Sequence, residues 1–249
     1  MRPESGPGCG SVLMQQSRVA IIPARGGSKR IPRKNVKDFC GKPMIAWSIE
    51  AAKTSGCFDQ IIVSTDDDEI SRVAREWGAM VPFTRPAKLS DDFTGTLPVI
   101  RHAVEWLNRN ETPVEYACCL YATAPFVSAE DLKRGLQLIK GSGSSYAFSV
   151  TSYAFPIQRA IRITKNGRVA MFNPEHFRTR SQDLEEAWHD AGQFYWGTAR
   201  AWCEERAIFG EDSVPVKLPR HRVQDIDTPE DWVRAEWLFR AMQAEGGLQ

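Results

Sequence analysis

A short apolar run followed by a glycine-rich, strongly basic loop constrains the fold of this chain more than any other stretch. Residues 19–22 are mostly β-branched, which predicts a strand buried on both faces. Pro23 ends that strand, and Gly26 and Gly27 free the backbone to turn and to approach a ligand closely. The cations of this stretch are Arg25, Lys29, Arg30, Arg33 and Lys34. Bare amides and clustered cations after a buried strand indicate a polyphosphate site, with a solvated basic turn as the alternative.

Other common motifs for phosphate binding and hydrolysis are missing from the sequence. It contains no Gly-Lys-Ser or Gly-Lys-Thr, and the loop glycines do not follow the Gly-x-Gly-x-x-Gly spacing. No Gly-x-Ser-x-Gly elbow exists, so a serine hydrolase is not indicated. The four histidines are isolated, without a His-x-x-x-His pair, which argues against a zinc site.

Composition narrows the possible partners. The 249 residues suffice for one large α/β domain or a domain with an appendage. With 32 Lys and Arg residues against 31 Asp and Glu residues, the net charge of +1 favours neither nucleic acid nor an anionic membrane as a partner. No apolar stretch approaches the ~20 residues that span a bilayer.

Residues 1–17 are expected to be a disordered leader before a domain of residues 18–249, and the sequence leaves open whether this leader is native.

The six cysteines indicate a reducing compartment. They form no CxxC pair, and Cys118 and Cys119 lie in an apolar run. We therefore expect reduced core thiols in a cytoplasmic protein rather than a disulfide framework.

Strands and helices alternate along most of the chain. Predicted strands lie at residues 19–22, 59–64, 79–83, 116–120, 146–152, 192–197 and 214–216, and predicted helices begin near residues 45, 68, 97, 128, 198 and 229. Asp67 or Asp68 is expected to cap the second helix, Ser128 the fourth and Thr228 the last. Such alternation predicts a parallel sheet with right-handed crossovers.

Residues 155–190 break this pattern. An Asn-Gly pair at Asn166 and Gly167 predicts a hairpin over residues 161–171. Residues 172–190 are polar and aromatic without a clear period. A segment that cannot bury a face of its own packs on something else, so we expect an arm that reaches a second subunit.

Two loops carry candidate polar ligands. Residues 85–96 follow a predicted strand, where open α/β sheets bind ligands, although the same residues could serve only as caps and turns. Asp225 and Asp227 lie two apart in a segment expected to be extended, so their carboxylates would point to one side. Such a pair suits Mg²⁺ shared with substrate phosphates, with a capped turn as the alternative. Together with the basic loop, the pair suits a nucleoside triphosphate and phosphoryl or nucleotidyl transfer.

The motifs at residues 22–35, 85–86 and 225–231 resemble the cytidylyltransferases that activate nine-carbon α-keto acid sugars, the CMP-nonulosonic acid synthetases. Acylneuraminate cytidylyltransferase is the best-known member, and the similarity runs from residue 18 to about residue 242. Residues 90–96, 121–126, 179–187 and 189–197 are most similar to the pseudaminic acid branch. Sialic acid enzymes usually have Gln-Pro-Thr-Ser-Pro where this chain has Tyr121-Ala-Thr-Ala-Pro, Asn-Gly-Ala-Ile-Tyr in place of Ala191-Gly-Gln-Phe-Tyr, and Gly in place of Arg30. These departures lie where the sugar is expected to bind.

The resemblance implies a Rossmann-like three-layer α/β/α sandwich with a mostly parallel sheet and a projecting dimerisation arm at residues 155–190. It also implies the roles of individual residues. The nucleotide would be bound by Ala24, Arg25, Gly26, Ser28, Lys29, Lys34, Asn35, Arg85 and Thr96. The sugar would be bound by Tyr121, Thr123, Gln193 and Tyr195, with Arg180 reaching the site of a neighbouring subunit. Asp225 and Asp227 would hold Mg²⁺, and Arg25, Lys29 and Asp227 would be catalytic.

The implied reaction is attack by the anomeric hydroxyl of the sugar acid on the α-phosphorus of CTP, with release of pyrophosphate, in a cytoplasmic homodimer. Pseudaminic acid is the expected acceptor. N-acetylneuraminate, legionaminate and Kdo are alternative acceptors, as is a phosphorylated alditol. Other classes are a glycosyltransferase that uses the Asp-x-Asp pair and a non-catalytic nucleotide sensor. The stereoisomer of the sugar, the general base, the metal count and a tetrameric assembly stay open.

Overall fold

The structure, a computed structural model, describes residues 17–246. The predicted leader lies outside this range except for Ser17, which belongs to the first strand. No helix of residues 17–246 combines the length and apolarity that crossing a membrane requires. Cys9 lies outside the range, and the described cysteines are free thiols: Cys57, Cys118 and Cys119 are buried, and Cys40 and Cys203 are partly buried.

Ten strands and six α-helices form the described part of the chain. The strands are β1 (Ser17–Pro23), β2 (Asp38–Phe39), β3 (Lys42–Pro43), β4 (Gln60–Ser64), β5 (Val114–Leu120), β6 (Tyr146–Ser152), β7 (Ile161–Ile163), β8 (Val169–Met171), β9 (Trp188–Thr198) and β10 (Ser213–Lys217). The helices are α1 (Met44–Ser55), α2 (Asp68–Glu76), α3 (Thr96–Asn110), α4 (Ala129–Ser142), α5 (Ala199–Cys203) and α6 (Pro229–Ala244). Asp67, Ser128 and Thr228 cap α2, α4 and α6 as predicted.

Six strands form one sheet in the order β10-β6-β9-β5-β1-β4. β1 pairs in parallel with β4 and β5, and β10 pairs in parallel with β6. β9 runs antiparallel to both β5 and β6. The sheet is thus mostly parallel, which confirms the predicted class, and one reversed strand joins its two parallel parts.

Alternate residues of β1 divide the core into two halves. Ala20 and Ile22 pack in one buried cluster with side chains of α1, α2 and α4. Val19 and Ile21 pack in the other cluster with side chains of α3 and α5. Helices therefore cover both faces of the sheet, which is the predicted three-layer α/β/α arrangement.

A third apolar cluster lies under α6. Phe39 meets Trp232 and Phe239 edge to face, with 5.3 Å between ring centroids in each pair. Ile31 of the basic loop and Ile226 of the segment before α6 are buried in the same cluster. This cluster therefore ties two segments that are far apart in the sequence.

The predicted strand at residues 79–83 is wrong. The segment makes only two isolated bridges to its neighbour within the described residues, from Met80 to Ile62 and from Thr84 to Thr65. Pro82 lies between the bridges and carries no backbone N–H, so no continuous ladder forms there.

The segment predicted as an arm contains a small hairpin. β7 and β8 pair antiparallel, and Gly167 between them has a φ of 70°, as the Asn-Gly pair predicts. Three short 3-10 turns surround the hairpin, at Ile157–Arg159, Pro174–His176 and Ser181–Asp183. The last residues assigned to the arm belong to β9, which begins at Trp188 instead of Gly192. The role of the segment in dimerisation stays a prediction.

Candidate active site

A cavity of about 490 Å³ opens at the carboxyl ends of β1 and β5. Open α/β sheets bind ligands at this edge, where the connections leave neighbouring strands in opposite directions. The residues that follow each of these strands contribute to the lining, which comprises Pro23, Arg25, Ser28, Lys29, Arg30, Lys34, Asn35, Asp92, Tyr121, Ala122, Thr123 and Asp227. The basic loop and Asp227 therefore share one cavity.

Asp92 pairs with two of the four cations that line this cavity, Arg25 and Lys29. Nη1 of Arg25 lies 2.6 Å from Oδ1 of Asp92 and donates to the carbonyl oxygen of Asp91 at 2.8 Å. Nζ of Lys29 lies 2.5 Å from Oδ2 of Asp92. Lys29 and Arg25 hold the pKa of Asp92 below its ordinary value. Nδ2 of Asn35 donates to the carbonyl oxygen of Arg25 at 3.0 Å, and this hydrogen bond fixes the backbone of Arg25.

Asp227 pairs with the other two cations that line this cavity. Nη2 of Arg30 donates to Oδ2 of Asp227 at 2.7 Å, and Nζ of Lys34 lies 3.3 Å from Oδ1. Nζ of Lys34 also donates to the carbonyl oxygen of Ile226 at 2.6 Å. The hydrogen bond to the backbone fixes Lys34 more firmly than Arg30.

Two buried isoleucines bring Arg30 and Asp227 together. Ile31 follows Arg30 and Ile226 precedes Asp227, and both isoleucines are about 2% exposed or less in the cluster under α6. Burial of each side chain orients its polar neighbour toward solvent, which here is the cavity. The backbone N–H of Asp227 also donates to Asp231 in the first turn of α6, at 3.2 Å.

The turn after β4 supports the basic loop from behind. The backbone N–H of Gly26 donates to Oδ1 of Asp66 at 3.2 Å, and a Cβ on Gly26 would lie 2.6 Å from Oδ2 of Asp67. Arg33 donates to both oxygens of Asp67 at 2.6 and 2.8 Å, which lowers the pKa of Asp67 to about 2. The amide of Gly26 is thus satisfied within the chain, and only a glycine fits this close to Asp67.

A smaller cavity, of about 380 Å³, adjoins the first and shares Tyr121 with it. Its other lining residues are Gly95, Thr96, Leu97, Pro98, Asp190, Tyr195, Ile208 and Phe209. The hydroxyl of Tyr121 lies 3.0 Å from Oγ1 of Thr96, and the hydroxyl of Tyr195 donates to Asp190. Burial raises the pKa of both tyrosines, and the charge of Asp190 adds to the effect on Tyr195. Both phenols are therefore neutral hydrogen-bonding groups at neutral pH.

The predicted site residues fall into three groups. The larger cavity is lined by Arg25, Ser28, Lys29, Lys34, Asn35, Tyr121, Thr123 and Asp227. The smaller one adds Thr96 and Tyr195. Neither lining includes Ala24, Gly26, Arg85, Arg180, Gln193 or Asp225.

Three residues of the last group are held by other parts of the chain. Arg85 is buried behind the basic loop, where Nη2 donates to the carbonyl oxygen of Ser64 at 2.9 Å and burial lowers the pKa of Arg85. Nε2 of Gln193 donates to the carbonyl oxygen of Arg222 at 2.6 Å. Arg180 lies in the arm and pairs with Asp183 at 2.7 Å. Their predicted roles in binding stay predictions.

The two aspartates fit a divalent cation as a pair of hard oxygen donors. Partial burial, together with repulsion from the charge of Asp227, raises the pKa of Asp225. A cation between them would relieve this repulsion, and Mg²⁺ commonly takes one or two carboxylates plus substrate phosphates. Residues 17–246 contain no cluster of three or more His, Cys, Asp or Glu side chains arranged for a metal.

Sequence reasoning misses the partners of the cavity cations. The 90–96 motif is singled out as a possible ligand loop, but nothing in its composition identifies Asp92 as the partner of Arg25 and Lys29. Arg30 is recognised as a loop cation and as a departure from the sialic acid enzymes, but its pairing with Asp227 spans 197 residues. Such contacts depend on the folded arrangement of distant loops.

Comparisons with known proteins agree on one family. Residues 19–195 match the family described as Cytidylyltransferase. A relative from Campylobacter jejuni subsp. jejuni serotype O:2, named Pseudaminic acid cytidylyltransferase, is 47% identical over 222 residues, which cover 89% of this chain and 96% of the relative. A relative from Legionella pneumophila, named CMP-N,N'-diacetyllegionaminic acid synthase, is 32% identical. The match covers 90% of this chain and 97% of the relative.

A solved structure supports the fold. The structure of CMP:2-keto-3-deoxy-manno-octonic acid synthetase complexed with CTP matches 91% of this chain and 99% of its own length, with a TM-score of 0.68. At 17% sequence identity, this likeness speaks for the architecture alone.

Proposed function

Because this chain belongs to the cytidylyltransferase family, we propose that it transfers CMP from CTP to the anomeric hydroxyl of pseudaminic acid, with release of pyrophosphate. The observation that carries the proposal is the single cavity in which the basic loop faces Asp227. Identity supports the choice of sugar, since it is 47% to the pseudaminic acid enzyme and 32% to the legionaminic acid enzyme.

The chemistry asks for alignment and charge neutralisation more than for covalent participation by the protein. The attacking hydroxyl and the leaving pyrophosphate must stand in line on opposite sides of the α-phosphorus. Arg25 and Lys29 are available to stabilise the leaving pyrophosphate, once they leave Asp92. Ser28, Lys34 and Asn35 complete the phosphate side of the cavity.

Asp225 and Asp227 would hold Mg²⁺, which when bound supplies charge neutralisation at the phosphates and acidifies a coordinated hydroxyl. Apart from that ion, the chain itself orients both reactants. Tyr121 and Thr123 line the larger cavity. Tyr121 also lines the smaller cavity, where its hydroxyl contacts Thr96 and where Tyr195 lies. Neutral phenols and hydroxyls suit the hydroxyl and acetamido groups of a nine-carbon sugar, so we assign the acceptor to this side.

The arm and the free cysteines support two further elements of the proposal. Large apolar side chains on the arm suit contact with a second copy of the chain, so we propose a homodimer. The five free cysteines of the described part suit a reducing compartment, and we propose the cytoplasm.

Pyrophosphate release from CTP with a panel of sugar acids tests the proposal. Pseudaminic acid should give a kcat/KM at least about tenfold above legionaminic acid, N-acetylneuraminic acid and Kdo, because pocket shape reads ring stereochemistry. Another preferred acid would correct the substrate. CTP binding without any pyrophosphate would indicate a sensor, and release of CMP or UDP from a sugar nucleotide would indicate a glycosyltransferase.

A further inference from the structure

The carboxylate of Asp227 is held on both oxygens by cations of the basic loop. Arg30 occupies Oδ2 at 2.7 Å and Lys34 lies 3.3 Å from Oδ1. A carboxylate paired with two cations attracts a divalent ion less strongly, because the ion is repelled by the two positive charges. Release of one of the two side chains removes a positive charge beside Asp227 and makes that carboxylate a stronger metal ligand.

Arg30 is the side chain that can release Asp227 more easily. Its side chain is 66% exposed, and the pair with Asp227 is its sole side-chain hydrogen bond or ion pair in residues 17–246. The Lys34 side chain is 18% exposed and is anchored by the carbonyl oxygen of Ile226 at 2.6 Å. Breaking an exposed single ion pair costs little, whereas removing Lys34 also leaves a partly buried carbonyl without its donor.

The released guanidinium would still face the cavity and would be available to pair with an anion. The acceptor carries its carboxylate on the same carbon as the attacking hydroxyl, so that carboxylate arrives beside the hydroxyl and close to Asp227. Two carboxylates at one point repel each other unless a cation separates them. A planar guanidinium matches a carboxylate with two parallel hydrogen bonds, which a lysine cannot provide.

We propose that Arg30 is an acceptor-binding residue that exchanges Asp227 for the carboxylate of the sugar acid. The exchange couples release of Asp227 to capture of the acceptor, and it rests on the proposed function for the identity of that acceptor. The triphosphate is the alternative anion for the released side chain, and the KM for CTP distinguishes it from the acceptor in the second test below.

The first half of the exchange is tested without any substrate. Mn²⁺ alone is titrated into the full chain and the free ion is measured by electron paramagnetic resonance. Arg30→Ala should bind Mn²⁺ about threefold tighter than the wild type, Arg30→Lys should resemble the wild type, and Asp227→Asn should lose this binding. Arg72→Ala, which removes an exposed arginine paired with Glu76 on α2, should change nothing. Unchanged or weaker Mn²⁺ binding by Arg30→Ala would overturn the exchange.

The second half is tested by steady-state kinetics of pyrophosphate release. Arg30→Ala should raise the KM for the sugar acid about 10- to 100-fold, the range for a lost bidentate charged pair, while the KM for CTP stays within about twofold. Arg30→Lys should recover only part of the loss. A rise in the KM for CTP with an unchanged KM for the sugar acid would overturn the assignment to the acceptor. If the wild type uses no sugar acid at all, the proposed function fails and capture of the acceptor fails with it, whereas the Mn²⁺ titration still judges the release of Asp227.

Discussion

At the scale of single residues, the four cations of the cavity are partly neutralised by two of its own carboxylates. Arg25 and Lys29 pair with Asp92, and Arg30 and Lys34 pair with Asp227. An incoming triphosphate must therefore compete with Asp92 for the two cations that suit pyrophosphate best. Asp92 is then a competitor of CTP, although it belongs to the site.

Asp92→Asn should tighten the binding of CTP. The substitution removes the charge that Lys29 and Arg25 now neutralise, so the KM for CTP should fall about threefold at low ionic strength, and the effect should shrink as salt is added. Steady-state kinetics at two ionic strengths measures it. Glu76→Gln on α2 is the control, since it removes an exposed, paired carboxylate away from the cavity. A higher KM in Asp92→Asn would mean that Asp92 helps to bind the nucleotide.

The basic loop itself was predictable, because a buried strand, a proline, two glycines and several cations are all local features of the sequence. The contacts that organise the loop were not. Arg25 meets Asp92 across 67 residues and Lys34 meets Asp227 across 193. Burial of Ile31 and Ile226 in one cluster fixes the second contact, and neither isoleucine differs in the sequence from any other core residue.

At the scale of elements, α4 approaches β9 closely at a glycine. A Cβ on Gly135 would lie 2.6 Å from Cδ1 of Trp196 and 3.0 Å from Cε2 of Phe194. Both rings are fully buried and belong to the central reversed strand, so neither has room to move. Glycine lowers the intrinsic stability of the helix at this position, and its lack of a side chain allows the helix to approach the sheet closely.

Gly135→Ala should therefore destabilise the fold. Overpacking of a core contact costs about 1–3 kcal/mol, and the gain in helix propensity offsets at most about 1 kcal/mol of that. Gly141→Ala on the same helix is the matched control, because its Cβ meets nothing within 4 Å. Urea denaturation should show Gly141→Ala to be slightly stabilised, by about 0.5–1 kcal/mol. Similar shifts in both variants would contradict the close packing of α4 on β9.

The N-terminus of α2 links the basic loop to acid stability. Asp67 accepts from the backbone N–H of Ile70 at 2.9 Å and from both Nη atoms of Arg33, and its pKa falls to about 2 from an ordinary 3.8. A lowered carboxyl pKa contributes stability that is complete above the ordinary pKa. That contribution is lost as the pH falls through the folded pKa.

Asp67→Asn should cost about 1–2 kcal/mol near pH 7, after allowance for solvent screening of the partly exposed Arg33. Asparagine still caps a helix, so the substitution isolates the charge. The difference in unfolding free energy between wild type and variant should shrink between about pH 4 and pH 2, where the wild-type carboxylate becomes protonated. Urea denaturation across this range measures it. A difference that does not change with pH would refute the role of the ion pair.

At the scale of the whole molecule, the direction of β9 and the surroundings of the arm escaped sequence reasoning. The alternation of strands and helices predicts parallel pairing, but β9 follows the arm instead of a helix, and nothing local specifies its reversal. The arm itself was predictable as a segment without a buried face. What covers that face depends on a surface outside the segment.

The arm carries an unusual amount of exposed apolar surface. Phe155 is 82% exposed and Ile163 79%, and the other large apolar side chains that are more than half exposed there are Ile161, Val169, Phe172 and Phe177. Patches of this kind mark contacts between proteins. The double variant Ile163→Asp and Phe172→Asp should therefore sediment as a monomer where the wild type sediments as a dimer, with an unchanged far-UV spectrum. A wild-type monomer at micromolar concentration would rule out the proposed homodimer.

Subunit mixing tests whether the arm of one subunit completes the cavity of the other. Lys29 lines the cavity and Arg180 lies on the arm, so Lys29→Ala and Arg180→Ala should each lose most activity as homodimers. If Arg180 serves the partner's site, a mixed dimer holds one doubly defective site and one intact site. Denatured and refolded equal mixtures should then regain about a quarter of wild-type activity, since half of the dimers are mixed and half of their sites are intact.

The same mixture gives no gain if Arg180 acts within its own subunit, because every site then carries one of the two defects. Arg178→Ala is the matched control for the arm, since it removes a neighbouring cation without a predicted role and should keep its activity as a homodimer. The regained fraction should vanish when Ile163→Asp and Phe172→Asp are added to both chains, because subunits that do not pair cannot exchange arms. Recovery that persists in those monomers would separate Arg180 from dimerisation and refute an arm-completed site.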